Sequence, residues 1–372
     1  MTFPVRVLHF LGGLGVGGAE TLVMNVFRHT DRTRVVFDAA VCAAGPDPYD
    51  AEFQRLGGRI FRLPYPNRRT IFRYVNALRD VLREQGPFIA AHTHVQHFNG
   101  LTLLIARTAG VPIRIAHSHS TSDGRSTTIR REVYRRLMRT LIHANATHLA
   151  GCSASACAAL YGGKGAAAEV LQNAIDPDDY RFPPGVSHSV RSDLRLPQDA
   201  LVLAHVGRFD GQKNHAGLVD AFVELLRIRP DARLLLIGDG PWRAEIEELC
   251  RAHGLENAVT FLGLRNDVPR LLSASDVFVL PSLCEGLPVA VVEAQMAGLP
   301  CVVSPAVPDS ADIGLGLLKR LSLNEGAEKW AKEIVAAWKQ RPSWEDRQRR
   351  LLLTGFDIRQ SVHRWESLYS SP

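Results

Sequence analysis

The stretch Val277-Phe-Val-Leu-Pro-Ser-Leu-Cys-Glu285-Gly-Leu-Pro288-Val-Ala-Val-Val-Glu293-Ala-Gln-Met-Ala-Gly-Leu-Pro-Cys301 reads as one strand–turn–helix unit. Val277–Leu280 is an unbroken apolar run, the pattern of a strand covered on both faces. A turn carrying Glu285 and Gly286 follows. A helix then opens around Pro288, a residue suited to the first helical position because its missing N–H would have no partner there. Glu293 falls in the second turn of that helix. Unpartnered N–H groups at a helix start favour a phosphate. The segment therefore offers an anion seat with a carboxylate on either side, which suits a nucleotide-sugar.

The same rhythm extends outward. Val5–Leu11, Val35–Cys42, Arg59–Leu63, Phe88–His92, Ile113–His117, His148–Gly151 and Glu169–Leu171 read as strands, with amphipathic segments such as Thr21–His29 and Ile71–Glu84 between them. It restarts with Leu201–Val206, Arg233–Ile237, Val259–Leu262, Val277–Leu280 and Cys301–Ser304. The helix Ala216–Ile228 lies among these. Alternating strands and helices imply parallel sheets covered on both faces. Residues 176–200, rich in Pro and Asp, break the pattern and read as an interdomain linker. We expect an N-terminal domain 1–175, a C-terminal domain 201–355 and a last helix, about 356–372, packed back on the first domain. Two such domains place their ligand loops at the carboxyl ends of their strands.

Composition narrows the class. The chain has 372 residues, a net charge of +6 and 46% apolar residues, an ordinary globular balance. Its six Cys, at 42, 152, 157, 250, 284 and 301, form no C-x-x-C pair, which fits a reducing cytosol. No apolar run approaches the length of a membrane span. We expect a cytoplasmic protein.

Four further motifs carry chemistry. Gly13, Gly15 and Gly18 satisfy G-x-G-x-x-G between a strand and a helix, with Asp38 twenty residues on, a dinucleotide pattern that serves other phosphates equally well. A NAD-dependent oxidoreductase is therefore one alternative. Arg208 and Lys213, in Val206-Gly-Arg-Phe-Asp-Gly-Gln-Lys213, can together neutralise a departing diphosphate. His92, His94 and His97, with His117 and His119, end two strands. They lack an H-E-x-x-H spacing or a local carboxylate, so we expect no metal and a structural or substrate-contacting role. The segment 126–143 carries Arg130, Arg131, Arg135, Arg136 and Arg139 interleaved with Val133, Leu137, Leu141 and Ile142; it suits either an anionic membrane surface or a solvated face. It interleaves a single aromatic, Tyr134, and carries no known reading motif, so nucleic acid is not expected. Asp176-Pro-Asp-Asp179 reads as turn chemistry.

Together these residues resemble the retaining glycosyltransferases of family 4. Gly17-Gly-Ala-Glu20, the strand-end His-x-His, Gln172-Asn-Ala-Ile-Asp176, Gly207-Arg-Phe with Lys213-Asn, Gly238-Asp-Gly240 and Glu285…Glu293 stand in that family's order over nearly the whole chain. The resemblance implies a GT-B fold, two facing Rossmann-like domains with an interdomain cleft, and metal-independent transfer without a cofactor. It implies that Arg208 and Lys213 hold the donor diphosphate, Glu293 the ribose and Glu285 the donor sugar. Gly286 and the amides of Leu287 and Val289 would meet the phosphate, and Leu264 would lie beside the base. His119 would be the cleft histidine, with His117 the alternative; Gly15, Gly17, Gly18 and His94 would serve the acceptor side. It also implies a UDP-sugar donor, a lipid-linked or saccharide acceptor in capsular or exopolysaccharide assembly, and a peripheral place on the cytoplasmic face of the inner membrane. The loop Pro305–Gly316 and Ala174 depart from the family's wording. A GT-B nucleotide-sugar epimerase is the nearer alternative.

Overall fold

The computed structural model describes residues 4–121, 128–338 and 341–370. They divide into two compact units, 1–175 with 355–372, and 176–354.

Unit 1 is built on β1 (Val5–Leu11), β2 (Val35–Val41), β3 (Ile60–Arg62), β4 (Ala90–Thr93), β5 (Ile113–Ser118), β6 (His148–Gly151) and β7 (Glu169–Val170). The order across the sheet is β3-β2-β1-β4-β5-β6-β7, all parallel. The helices are α1 (Gly18–His29), α2 (Asp50–Arg55), α3 (Ile71–Glu84), α4 (Asn99–Thr108), α5 (Ile129–Asn145) and α6 (Ala154–Tyr161). Unit 2 has β8 (Val202–Val206), β9 (Arg233–Ile237), β10 (Val259–Gly263), β11 (Val277–Leu280), β12 (Cys301–Val303) and β13 (Leu318–Arg320), ordered β10-β9-β8-β11-β12-β13 and again parallel. Its helices are α7 (Val186–Asp193), α8 (His215–Ile228), α9 (Arg243–Ala252), α10 (Val268–Ser273), α11 (Val289–Met296), α12 (Gly326–Ala337) and α13 (Trp344–Thr354); α14 (Ile358–Leu368) belongs to unit 1.

Both sheets reverse their winding direction once, between β1 and β4 and between β8 and β11. A ligand crevice forms at the carboxyl ends of the strands at such a point, because the loops on either side diverge. The glycine turn after β1 and the histidines after β4 therefore share one crevice. The loops bearing Arg208–Lys213 and Glu285 share the other.

Two expectations change. Residues 176–200 are folded into unit 2 and are not a free linker: Tyr180 is buried, and Val190 of α7 joins Leu271 and Ala274 in a small core. Arg191 anchors this segment through Asp276 at 2.8 Å and three backbone carbonyls. Pro and Asp content signalled a turn but not the packing that follows it. The sheet also gains β13, whose Leu318-Lys-Arg320 is too short and mixed for a strand signal. At the C-terminus, Ile358, Val362, Trp365, Leu368 and Tyr369 enter the unit 1 core beside Val7, Phe27 and Phe37.

The Gly238-Asp-Gly240 motif has a packing cause. A Cβ on Gly238 would lie 2.1 Å from the Gly207 carbonyl oxygen at φ +139°, and one on Gly240 would lie 2.4 Å from that of Phe209. The turn after β9 thus lies backbone against backbone on the Arg208 loop. Gly238→Ala should destabilise unit 2 by about 3 kcal/mol through clash and strain. Gly254→Ala, also at positive φ but with open space around it, should cost only about 1 kcal/mol. Chemical denaturation of both variants checks the difference.

Candidate functional site

In unit 2 the turns after β8 and β11 are joined by hydrogen bonds. The Leu283 amide donates to the Gln212 carbonyl at 2.7 Å, and the Asn214 amide group to the Pro281 carbonyl at 3.1 Å. Between them Lys213 Nζ meets Glu285 Oε1 at 2.6 Å, with the side chains 18% and 8% exposed. Gly207 gives Lys213 its path, since a Cβ there would come within 3.2 Å of the Lys213 chain. Arg208 is exposed and forms no ion pair among the described residues. Asn214 holds a left-handed conformation and caps α8 by accepting from the Gly217 amide.

Among the described residues no side chain caps α11, whose N-cap is Pro288, the residue expected to open the helix as its first helical position. Gly286 and Val289 are partly accessible at this end, Leu287 is buried and Leu264 is 56% exposed past β10. Glu293 is partly buried. The protein around it desolvates its carboxyl and pushes it up to about 7; a hydrogen bond with Tyr180 opposes this and the Asp179 charge adds to it. Gln295, fully buried, donates to the Ala311 carbonyl at 2.7 Å and accepts from the Ile313 amide at 3.2 Å. That pair of bonds ties the loop 305–316 to α11.

Tyr180 and Gln295 were missed in the sequence. Tyr180 gives no signal, because it lies over a hundred positions from Glu293. Gln295 does give one: a lone amide in an apolar helix implies backbone groups to satisfy.

In unit 1 the glycine turn is held by its own surroundings. The Leu14 amide donates to Asp47 at 3.0 Å, and the Tyr49 amide to the Leu14 carbonyl at 3.0 Å. Gly15, Gly17 and Gly18 are left at least partly accessible, and Gly17 caps α1 with no side-chain bond. Asp38 is fully buried in the middle of β2, paired with Arg6 at 2.6 Å and Arg59 at 2.7 Å. Its carboxylate is therefore consumed inside the domain, and the dinucleotide reading loses its ribose partner.

The histidines gather on one face of the sheet. His9 Nδ1 and His94 Nε2 are 3.0 Å apart, and His94 Nδ1 and His119 Nε2 are 2.7 Å apart. His92 joins His117 at 3.1 Å and the Tyr369 hydroxyl at 2.9 Å. Burial holds His92, His94 and His117 well below the usual imidazole range and lowers His9 to about 3. His117 is fully buried within β5, whereas His119, past the strand end, is partly accessible. A cavity of about 610 Å³ opens nearby, lined by Leu11, Tyr65, Arg68, His97, Arg131 and Tyr134 among others.

The helix expected over 126–143 begins at Ile129; residues 126 and 127 lie outside the described ones. It turns Met138 and Ile142 inward, and Arg139 is used internally, donating to the Leu160 carbonyl at 2.9 Å. Ile129, Val133 and Leu137 are 87%, 61% and 55% exposed.

Residues 187–346 match the Glycosyl transferases group 1 family and residues 16–179 match Glycosyltransferase Family 4. EpsF of Bacillus subtilis (strain 168), named as a glycosyltransferase, is 39% identical over 98% of this chain and 96% of its own. The chain belongs to this glycosyltransferase family. It is a transferase enzyme with the GT-B fold. A shorter match, 36% identical over 36% of each chain, is the Escherichia coli UDP-Gal:alpha-D-GlcNAc-diphosphoundecaprenol alpha-1,3-galactosyltransferase. Among solved structures, Anabaena Alr3699/HepE in complex with UDP and glucose superposes with a TM-score of 0.79 at 18% identity, covering 99% of this chain and 100% of that one. At that identity the likeness is one of fold. Among its described residues no helix is long and apolar enough to cross a membrane.

Proposed function

We propose that this glycosyltransferase moves a sugar from a UDP-sugar to a lipid-linked saccharide, with retention at the anomeric carbon and without a metal in the transfer step. The observation that carries the reading is the Lys213–Glu285 pair, which joins the two loops at the sheet's reversal beside an uncapped helix start. The HepE complexes hold UDP and UDP-glucose, and the Escherichia coli relative is named for a UDP-Gal donor and a diphosphoundecaprenol-linked acceptor; both support the donor class.

In this reading Lys213 and Arg208 face the donor diphosphate, Gly286 and the Leu287 and Val289 amides meet its oxygens, Glu293 takes the ribose hydroxyls and Leu264 flanks the base. Glu285 holds the sugar. The C1–O bond to the diphosphate breaks as the bond from C1 to the acceptor oxygen forms, and the acceptor proton passes to a diphosphate oxygen. The two cations lower the energy of the departing anion, the main electrostatic contribution. Glu285 is engaged with Lys213 and is not an acid/base partner of Glu293. Unit 1 is assigned the acceptor: Gly15, Gly17, Gly18 and His119, all at least partly accessible, would contact it, and His94 and His117, both buried, would support His119. Incubation with a panel of nucleotide-sugars and an undecaprenyl-diphosphate-linked sugar tests this. Release of UDP with a new α-linkage is expected; no turnover with any UDP-sugar removes the reading.

The enzyme is proposed to sit on the cytoplasmic membrane face in capsular or exopolysaccharide assembly. Ile129, Val133 and Leu137 form one exposed apolar stripe at i, i+4 and i+8, beside Arg130 and Arg136. Replacing all three with Ser should cut co-sedimentation with anionic vesicles by about tenfold or more, given about 0.8 kcal/mol per buried methylene. Unchanged sedimentation would leave the helix a solvated face.

A further inference from the structure

We propose that unit 1 carries a zinc-type metal site on His94, His117 and His119, distinct from the donor-diphosphate chemistry of unit 2. One ring nitrogen from each of these three residues lies within 4.8 Å of the others. Tetrahedral zinc with imidazole bonds of about 2.0–2.1 Å needs nitrogens about 3.4 Å apart, so the rings must turn to ligate, and His94 gives up one of its two imidazole contacts, to His9 at 3.0 Å or to His119 at 2.7 Å.

The sheet explains the convergence. His92 and His94 are two residues apart, as are His117 and His119, so each pair projects to one face of its strand. β4 lies in register with β5 and with β1, where His9 stands opposite His92. Five of the chain's 14 histidines therefore share one patch, with Trp365 of α14 stacked against it and Tyr369, just past that helix, bonded to His92.

An apolar patch would pack there at less cost. Instead, among the described residues, His117 Nε2 and His119 Nδ1 are buried without a hydrogen-bond partner, as is His9 Nε2. Buried polar atoms left unpaired are costly and call for an explanation. Metal ligation supplies one. An all-imidazole donor set selects zinc and its neighbours over magnesium or calcium, which prefer oxygen. Burial keeps these rings neutral, the form that ligates. With three protein ligands the fourth position falls to water, and His119 is the partly accessible member of the set through which an ion enters.

His94 also belongs to a second group, with His9 and His92, whose nitrogens lie within the same 4.8 Å; this group is wholly buried and lacks an entry. Because His119 stands beside the acceptor in the reading above, bound zinc is expected to slow transfer. That consequence rests on the reading; the binding does not.

The test uses the untagged full chain, stripped with chelator and titrated with Co²⁺ as the optical probe, then with Zn²⁺. One equivalent of Co²⁺ with tetrahedral absorption, displaced by Zn²⁺, is expected. His119→Ala and His94→Ala should each lose it, while His9→Phe and the surface variant His253→Ala keep it. Zn²⁺ should raise the melting temperature of the native chain and not that of His119→Ala, whose circular dichroism reports that it folds. A folded native chain that emerges from gel filtration without metal overturns the site. So does full retention by His119→Ala, and loss in His9→Phe with retention in His119→Ala reassigns the ion to the inner group and overturns this one.

Discussion

Lys213→Ala is expected to lower kcat/KM on the order of 100-fold to 1,000-fold, the usual effect of removing one donor aimed at developing negative charge. It should also lower stability, for a separate reason. The Glu285 side chain is 8% exposed and faces Lys213 at 2.6 Å. Removing the cation leaves an enclosed carboxylate unpaired, which costs about 3 kcal/mol. The two effects can be separated. Lys213→Ala/Glu285→Gln should recover most of the stability, because no charge is left stranded, and none of the activity. Equal recovery of both would mean that Lys213 acts only as a structural partner. Steady-state UDP release and urea unfolding on the four proteins of this cycle provide the readout.

Donor binding should tighten about tenfold between pH 6 and pH 8, as a carboxyl titrating near 7 becomes ionised. The group is Glu293, pushed up to about 7 from an ordinary carboxylate value by the protein that desolvates it. Ribose hydroxyls donate to a carboxylate more strongly than to a carboxylic acid, so binding releases a proton. In Glu293→Gln the pH dependence should vanish and affinity should stay at the weak, low-pH level. Calorimetry in two buffers of different ionisation enthalpy reads the released proton directly. Stability moves the other way. A carboxyl whose folded value lies above its unfolded value binds more protons in the folded state, so stability is fully present below the unfolded value. It is lost as pH rises from about 4.5 through 7, on the order of 3 kcal/mol in all. Glu293→Gln should therefore melt higher than the native chain at pH 8 and about the same at pH 4. If the native chain binds donor equally at both pH values, Glu293 does not touch the ribose as its carboxylate.

The Glu293 carboxylate is thus held at a cost. Tyr180 offsets part of it by donating to Glu293, and it does so from the segment that reads as a linker. Its Asp-Pro-Asp-Asp opening is turn chemistry, as its residues imply: Asp176 accepts from the Asp178 amide at 2.9 Å.

Much of the fold was legible in local pattern. Val5–Leu11, Ile71–Glu84, His148–Gly151, Arg233–Ile237 and Val277–Leu280 have the bounds that their apolar runs predict. Buried parallel strands are continuous apolar runs, and amphipathic helices repeat every three or four residues, so both carry their signal within a short window. The glycine turns, Lys213, Glu285 and Glu293 were legible for the same reason, since each sits at a fixed offset from a strand end. Pairing was not. Lys213 and Glu285 are 72 positions apart, and only the β8–β11 adjacency brings them to 2.6 Å. Asp38 matched a cofactor pattern by spacing, yet strand register buries it between Arg6 and Arg59. The histidines looked like two separate doublets; strand order β1-β4-β5 makes them one cluster. Spacing along the chain set which groups exist and which way each one projects. Which of them meet, and which lose their solvent, was decided by sheet order and helix packing, because those depend on contacts between residues distant in the chain.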